Sequence, residues 1–386
     1  MKRVLFLFVV AIAASAGASR GAGVTLPCFK PVPGRHLELI DAHTGEANVS
    51  FPDLVGNVFG AVADGRGGFL IAGDFRCVGT VHTRGLARLN PDGTLDRSWQ
   101  PAVPVSRISG NGYAYLTTIR LVAGQLYVAG SFGVEKLDAR TGRLLWLTAT
   151  NTNDGNGVQA VAANTQRVYI GGTFTTVAGT KHTSFAVLSA RTGRPIPWPA
   201  PTLESYPALM KQQPGQPSVG ALALWSGRLY VGGDLILRVN GKKRPSIAVL
   251  DARTGKLLPW SPPIRNGHSL IGDVATIMVA GGRVFTAGHD GFGITDALTG
   301  KADPLLGRAG GYVFASSGET AYLAGNCRNS FSEIEGQPRN NLAQVDLTTG
   351  HVTAWAPDLA PYTCTESVAA SGDQVLVAGF FGDSLG

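Results

Sequence analysis

From Val219 the chain reads VGALALWSGRLYVGG, two short runs of apolar and small residues broken by a Ser-Gly turn. The alternation has the period of a strand, and so short a turn joins its two strands antiparallel. The same figure returns as VQAVAANTQRVYIGG from Val158. Helical spacing of apolar positions is absent almost everywhere, so the pattern predicts an all-β fold without crossover helices.

A second element alternates with the first. AVLDARTGKLLPW, from Ala248 to Trp260, has counterparts whose turn glycines are Gly45, Gly93, Gly142, Gly193, Gly255, Gly300 and Gly350. Between them lie strands ending in two small residues at Gly73, Gly130, Gly172, Gly233, Gly288, Gly325 and Gly379. Gly45 and Gly350 stand six intervals apart, a mean repeat of about 51 residues.

Each unit therefore reads as strand a, a tight turn, strand b, a variable loop, strand c, the D-x-x-T-G turn and strand d. Asp or Asn at 41, 90, 138, 251, 296 and 346 is placed to accept hydrogen bonds from the backbone ahead of it, and the glycine supplies a positive φ. Trp99, Trp146, Trp198, Trp260 and Trp355 recur after that glycine and are expected to pack between neighbouring units, with Trp225 off register. Seven such units predict a seven-bladed β-propeller of four-stranded antiparallel blades. The N-terminal c-d half, His36 to Phe51, and the C-terminal a-b half, Glu366 to Phe381, are expected to pair in the last blade and so cover the exposed edges.

Composition agrees. The 386 residues include 52 Gly and 22 Pro with only 15% charged, as many short strands and tight turns require. The formal charge of +7 includes Lys2 and Arg3, and no Lys/Arg block marks a nucleic-acid partner. Residues 1–22 have the basic start, short apolar run and small residues of a cleaved secretory signal, leaving 23–386 as one domain. No later stretch reaches ~18 apolar residues, so no membrane span is expected. The expectation is a monomer secreted from, or held at, a bacterial cell envelope. Cys28, Cys77, Cys327 and Cys364 suit two disulfides in such a compartment. Their places relative to the strands favour Cys28 with Cys364 and Cys77 with Cys327, the other connectivities staying open.

The tight turns fall on one rim and the variable connections on the other, where binding residues are expected. Tyr113, Tyr206, His268, Arg308 and Tyr362 are the ligand-binding candidates, as aromatics and single charges near strand starts. Asn151, Asn153 and Asp154 offer a calcium reading, but the loop lacks the ligand order and downstream Glu of a calcium site, so a polar loop is preferred and no metal is assigned. No nucleophile elbow, metalloprotease or phosphate-loop motif occurs, so no catalytic residue is assigned.

The units A-x-L-D-x-x-T-G-x-x-x-x-W resemble the tryptophan-docking repeats of quinoprotein (PQQ-like) propellers. LYVGG followed by T-G-x-x-x-P-W also resembles the delta-60 repeats of secreted bacterial propellers. The resemblance implies the propeller shape over almost all of the mature chain. Quinoprotein dehydrogenases have eight blades, adjacent disulfide-bonded cysteines and a calcium with an Asp base; none of these is carried over here, and no cofactor is expected. The leading expectation is an exported, non-catalytic scaffold that binds an extracellular ligand or a protein or glycan partner through its loop-rich face. The alternative is an enzyme of the quinoprotein or glycan-cleaving kind, with Glu204, Glu333 and Glu335 as rim acids.

Overall fold

In the computed structural model the described residues are 28, 35–47, 54–102, 108–109, 112–113, 116–151, 157–205, 217–234, 236, 238–244, 246–262, 274–288, 291–302, 313–326, 330–359 and 362–382. Among them the regular elements are strands joined by turns, with no helix.

The small-apolar strand of each unit pairs antiparallel with the strand ending in glycine, which pairs in turn with the strand entering the D-x-x-T-G turn. Ser218–Trp225, Arg228–Asp234 and Ile247–Asp251 are one example. The first strands of successive sheets stand side by side: Val58–Ala63, Leu116–Val122, Val158–Ala163, Ser218–Trp225, Thr276–Ala280, Val313–Ser317 and Tyr362–Ser371. Tyr362–Ser371 packs against both Val313–Ser317 and Val58–Ala63. Their alanines and glycines allow this approach, and a hydrophobic cluster fills each space between sheets. One such cluster joins Tyr169, Phe185 and Val187 to Leu222, Leu229 and Val231 of the next sheet.

One sheet joins the two ends of the described chain. Arg35–Asp41 pairs antiparallel with Gln374–Gly382, Leu37 opposite Ala378 and Asp41 opposite Gln374, and Gln374–Gly382 pairs with Tyr362–Ser371.

The expectation of four full strands per unit is corrected. Among the described residues only Leu116–Val122, Gln125–Gly130, Gly133–Asp138 and Leu144–Ala149 form such a sheet. Elsewhere the d segment touches strand c through single bridges, as at Leu188 with Pro195 and Leu250 with Leu257. Proline is the physical reason in several units: Pro195, Pro197, Pro259 and Pro357 lack the N–H that a continuing ladder needs.

The turns explain the repeat. Asp251 Oδ1 accepts from the N–H of Arg253 (3.1 Å), the N–H of Thr254 (2.6 Å) and the Thr254 hydroxyl (2.6 Å), while Gly255 takes φ 73°. These bonds hold the Asp251 carboxyl below its ordinary pKa, the Thr254 hydroxyl contributing most.

Each tryptophan then reaches the turn of the following unit. The indole N–H of Trp99 donates to Ala139 O (3.0 Å), Trp146 to Ala190 O (3.2 Å), Trp198 to Ala252 O (3.2 Å), Trp260 to Asp296 O (3.0 Å) and Trp355 to Asp41 O (2.9 Å). Tyr169 and Tyr230 hydroxyls reinforce two of these links, bonding Ala252 O (2.6 Å) and Ala297 O (2.7 Å). Trp225, the off-register tryptophan, ends an inner strand opposite Arg228.

Sequence patterns treated the b-c connections as loops, yet four contain a small hairpin. Thr176–Val177 pairs with Thr180–Lys181, Arg238–Val239 with Lys242–Lys243, Glu333–Ile334 with Gln337–Pro338, and Cys77–Val78 with Val81–His82. Asn240-Gly241 at φ 51° and 72°, and Glu335-Gly336 at 52° and 73°, have the positive φ at both positions that two-residue hairpins favour.

The hairpin at Cys77 also corrects the disulfide pairing. Cys28 bonds Cys77, with Cα atoms 5.9 Å apart, rather than Cys364. Offsets in sequence locate Cys77 only within a loop, whereas the fold-back brings it into bridging range of Cys28. Cys364 is disulfide-bonded too, and Cys327 lies outside the described residues.

Candidate functional site

The first strands line a channel, and most carry a defect at its mouth. The register shifts between Val58 and Gly60, Leu116 and Thr118, Val158 and Ala160, Ser218 and Ala221, and Thr365 and Ser367. A bulge leaves an extra residue out of the ladder and re-aims its side chain. Phe59, Thr117, Gln159, Gly220 and Glu366, all within these shifts, border one cavity of about 270 Å³. Thr117 stitches its bulge to the next sheet through a 2.6 Å bond from its hydroxyl to Val158 O.

Further along the channel a second space of about 400 Å³ is lined largely by small residues such as Ala63, Ala163, Ala223, Ala315 and Ala370. The mouth lies where these strands begin, the end at which the long connections arrive.

Arg120 borders both spaces. Protein surrounds it, yet its side chain stays open to the channel interior. Its Nη1 donates to Ile119 O at 2.8 Å, and among the described residues no carboxylate pairs with it. Desolvation pushes its pKa down, but a guanidinium keeps its proton in proteins, so the channel holds an uncompensated cation.

Glu366 borders the mouth cavity with Arg120 without forming an ion pair with it. Its Oε2 is buried and has no hydrogen-bond partner. Burial pushes its pKa up, and the neighbouring Asp74 charge adds to the effect. Asp74 accepts the backbone N–H of Asn57 at 2.6 Å. A polar group with a perturbed pKa in a cleft marks a candidate site.

Two of the sequence-derived ligand candidates fall on described strands. Tyr113 pairs through its backbone with Ile108 in a small hairpin, and Tyr362 pairs with Gly382 in the sheet that holds both chain ends. Tyr206, His268, Arg308, Asn153 and Asp154 lie outside the described residues. Asn151 Oδ1 accepts the N–H groups of Thr175 (2.9 Å) and Thr176 (2.6 Å), bracing a hairpin. Glu204 accepts the Gly241 N–H and Glu335 the Val352 N–H, each at 3.1 Å, within separate hairpins. Cys28, Cys77 and His82 group their ligand atoms within 4.8 Å, but both sulfurs are committed to the disulfide.

Pattern reading missed Arg120, Gln159 and Glu366. Their signal was a polar or charged residue inside an otherwise small-apolar strand, as in LTTIRLV and TESVAAS.

Residues 64–98 match the model of a β-propeller domain of unknown function, DUF5122. The extracellular domain of BT4673 from B. thetaiotaomicron superimposes with a TM-score of 0.51 at 10% identity, covering 90% of this chain and 39% of that one. BamB from Moraxella catarrhalis aligns with a TM-score of 0.42 at 13% identity, covering 91% of this chain and 92% of its own. The chain thus spans well under half of the BT4673 chain it matches. No curated protein matches the sequence. The family model and the BT4673 likeness bear on fold alone: the chain has a β-propeller-type fold.

Proposed function

We propose that this protein is an exported, non-catalytic β-propeller of seven blades, with delta-60-type repeats, that binds a ligand or partner through its loop-rich face. Its ligand seat is the mouth of the central channel. The observation that carries the reading is the set of bulges that line the 270 Å³ cavity with Phe59, Thr117, Gln159 and Glu366 at the end where the inner strands begin. A scaffold that needed only stable sheets would have no use for ladder defects repeated around one opening.

Seven turn glycines and the sheet shared by Arg35–Asp41 and Tyr362–Ser371 support the blade count and its closure. The leader-like residues 1–22 and the Cys28–Cys77 bridge support export, since disulfides persist in oxidising compartments.

The test is a thermal-shift screen of sugars, divalent metals and quinones against the full chain and a Gly220→Phe variant. A Cβ at Gly220 would meet only Val274 O at 3.7 Å and Ala275 Cα at 4.0 Å, so the added ring enters the cavity without a clash at its base. A ligand at about 100 times its dissociation constant stabilises by about 2.7 kcal/mol. A shift seen in the native protein and abolished by the plug supports the seat; a shift that survives it moves binding elsewhere.

One observation favours a glycan-cleaving alternative: Glu366 lines the mouth cavity with its Oε2 buried, and burial followed by the Asp74 charge raises its pKa in the direction a general acid needs. Hydrolysis of aryl glycosides that disappears in Glu366→Gln would turn the reading to that enzyme class.

A further inference from the structure

Arg120 and Glu366 both line the mouth cavity, and no ion pair joins them. Arg120 has a five-donor fork that makes one hydrogen bond among the described residues, to the carbonyl of its own neighbour Ile119. Glu366 presents a carboxylate oxygen that is buried and unpartnered. Taking a carboxylate oxygen out of water costs free energy that a native structure ordinarily recovers by pairing, and the Arg120 fork stands open to the channel with most of its donors unused. These two border one cavity without an ion pair between them, and Gln159 lines the same cavity.

The rest of the wall sets the size and character of what fits. Phe59, Phe314 and Ile277 give an apolar side, Gly220 leaves room, and the Gln159 amide offers both donor and acceptor. A volume of about 270 Å³ sits at the lower end of small-ligand sites.

We infer that the channel mouth is a binding site for a small zwitterion of the α-amino-acid class, its carboxylate held by the Arg120 fork and its ammonium received by Glu366. The inference rests on the channel-mouth seat proposed above and names the ligand chemistry for it. A guanidinium matches a carboxylate bidentately, and two parallel charge-assisted bonds are stronger than neutral ones. An ammonium brings three donors to the oxygen that now lacks any. A lone anion would satisfy Arg120 but leave Glu366 unpartnered and repelled, so a zwitterion is preferred to phosphate.

Calorimetric titration of the full chain with L-alanine, L-lactate, acetate and inorganic phosphate tests this. L-alanine is expected to bind most tightly, with L-lactate and acetate weaker. Arg120→Gln should weaken L-alanine by about tenfold or more, the loss of a charge-assisted pair, and Arg120→Lys should restore part of it. Glu366→Gln should weaken L-alanine more than L-lactate. The ligand-free Arg120→Gln protein should melt no lower than the native one, because the arginine is held for a ligand rather than for the fold.

Phosphate binding as tightly as L-alanine, or Arg120→Gln binding L-alanine unchanged, overturns the inference. If no titrant binds while another compound stabilises the native protein and fails with Gly220→Phe, the zwitterion falls and the seat stands. If L-alanine binds Gly220→Phe as well as the native chain, the seat itself is wrong and both fall.

Discussion

Trp355 donates its indole N–H to the carbonyl of Asp41 across 2.9 Å, joining residues 314 positions apart. Trp260 makes the same bond to Asp296 O, and Trp99 and Trp198 bond the next carbonyl of their turns, Ala139 O and Ala252 O, each 36 to 54 positions away. The last turn-bearing unit therefore treats the first as its successor. Gln344 adds a second link, from its side-chain amide to Ala42 O at 2.9 Å.

Trp355→Phe removes the bond while keeping an aromatic ring against Tyr322, whose centroid lies 5.5 Å away. Stability should fall by about 1 kcal/mol, and by about 3–5 kcal/mol for Trp355→Ala, which also opens a cavity. Urea melts of both variants measure this; an unchanged Trp355→Ala midpoint would mean the chain ends are not held together by this contact.

Two glycines with the same backbone angle should respond differently to alanine. Gly241, at φ 72°, has open space around a built Cβ, so Gly241→Ala should cost only the left-handed strain of about 1 kcal/mol. Gly255, at φ 73°, would drive its Cβ to 2.5 Å from Pro199 O, so Gly255→Ala should cost about 2–4 kcal/mol as the neighbouring unit is displaced. Paired denaturant curves decide whether the turn glycine is needed for its angle alone or also for close packing.

Asp138, Asp251 and Asp296 accept hydrogen bonds in their turns and have lowered pKa values, chiefly through Thr141, Thr254 and Thr299. A depressed acid contributes stability above its unfolded pKa and loses it as pH falls through the folded one. The melting temperature should therefore drop as pH falls below about 3.8, the ordinary Asp value. Glu366 has the opposite sign: its raised pKa means destabilisation as pH rises above its ordinary 4.5. Glu366→Gln should accordingly raise the melting temperature at pH 7 more than at pH 4, and melts at both values check it.

The Cys28–Cys77 bridge closes a segment of sequence separation 49. Replacing both cysteines by serine should cost about 2–4 kcal/mol, by restoring freedom to the unfolded chain. Denaturation of the double variant beside the native protein gives the value, and mass mapping under non-reducing conditions checks the pairing.

Much of this architecture was legible in the sequence because its causes are local. A strand period of two, an aspartate two or three residues before the amides it caps, and a glycine forced to positive φ all act within a few positions. Tryptophan spacing pointed to contacts between units, and the indole bonds run there. The full d strand was overestimated because a turn and an apolar run look alike whether or not prolines stop the ladder. The hairpins at Asn240-Gly241 and Glu335-Gly336 were visible as turn chemistry but were hidden inside stretches treated as loops.

The sequence by itself determined the repeating sheet, its turns and its docking tryptophans, since each depends on neighbours in the chain. Only the tertiary structure decided that Cys28 meets Cys77, and that Arg120 and Glu366, 246 positions apart, border one cavity. The physical reason is backbone geometry in both cases. A fold-back hairpin carries Cys77 to Cys28, and a ladder bulge at Glu366 together with the side-by-side packing of inner strands brings that residue to the cavity Arg120 lines, and no linear spacing records either.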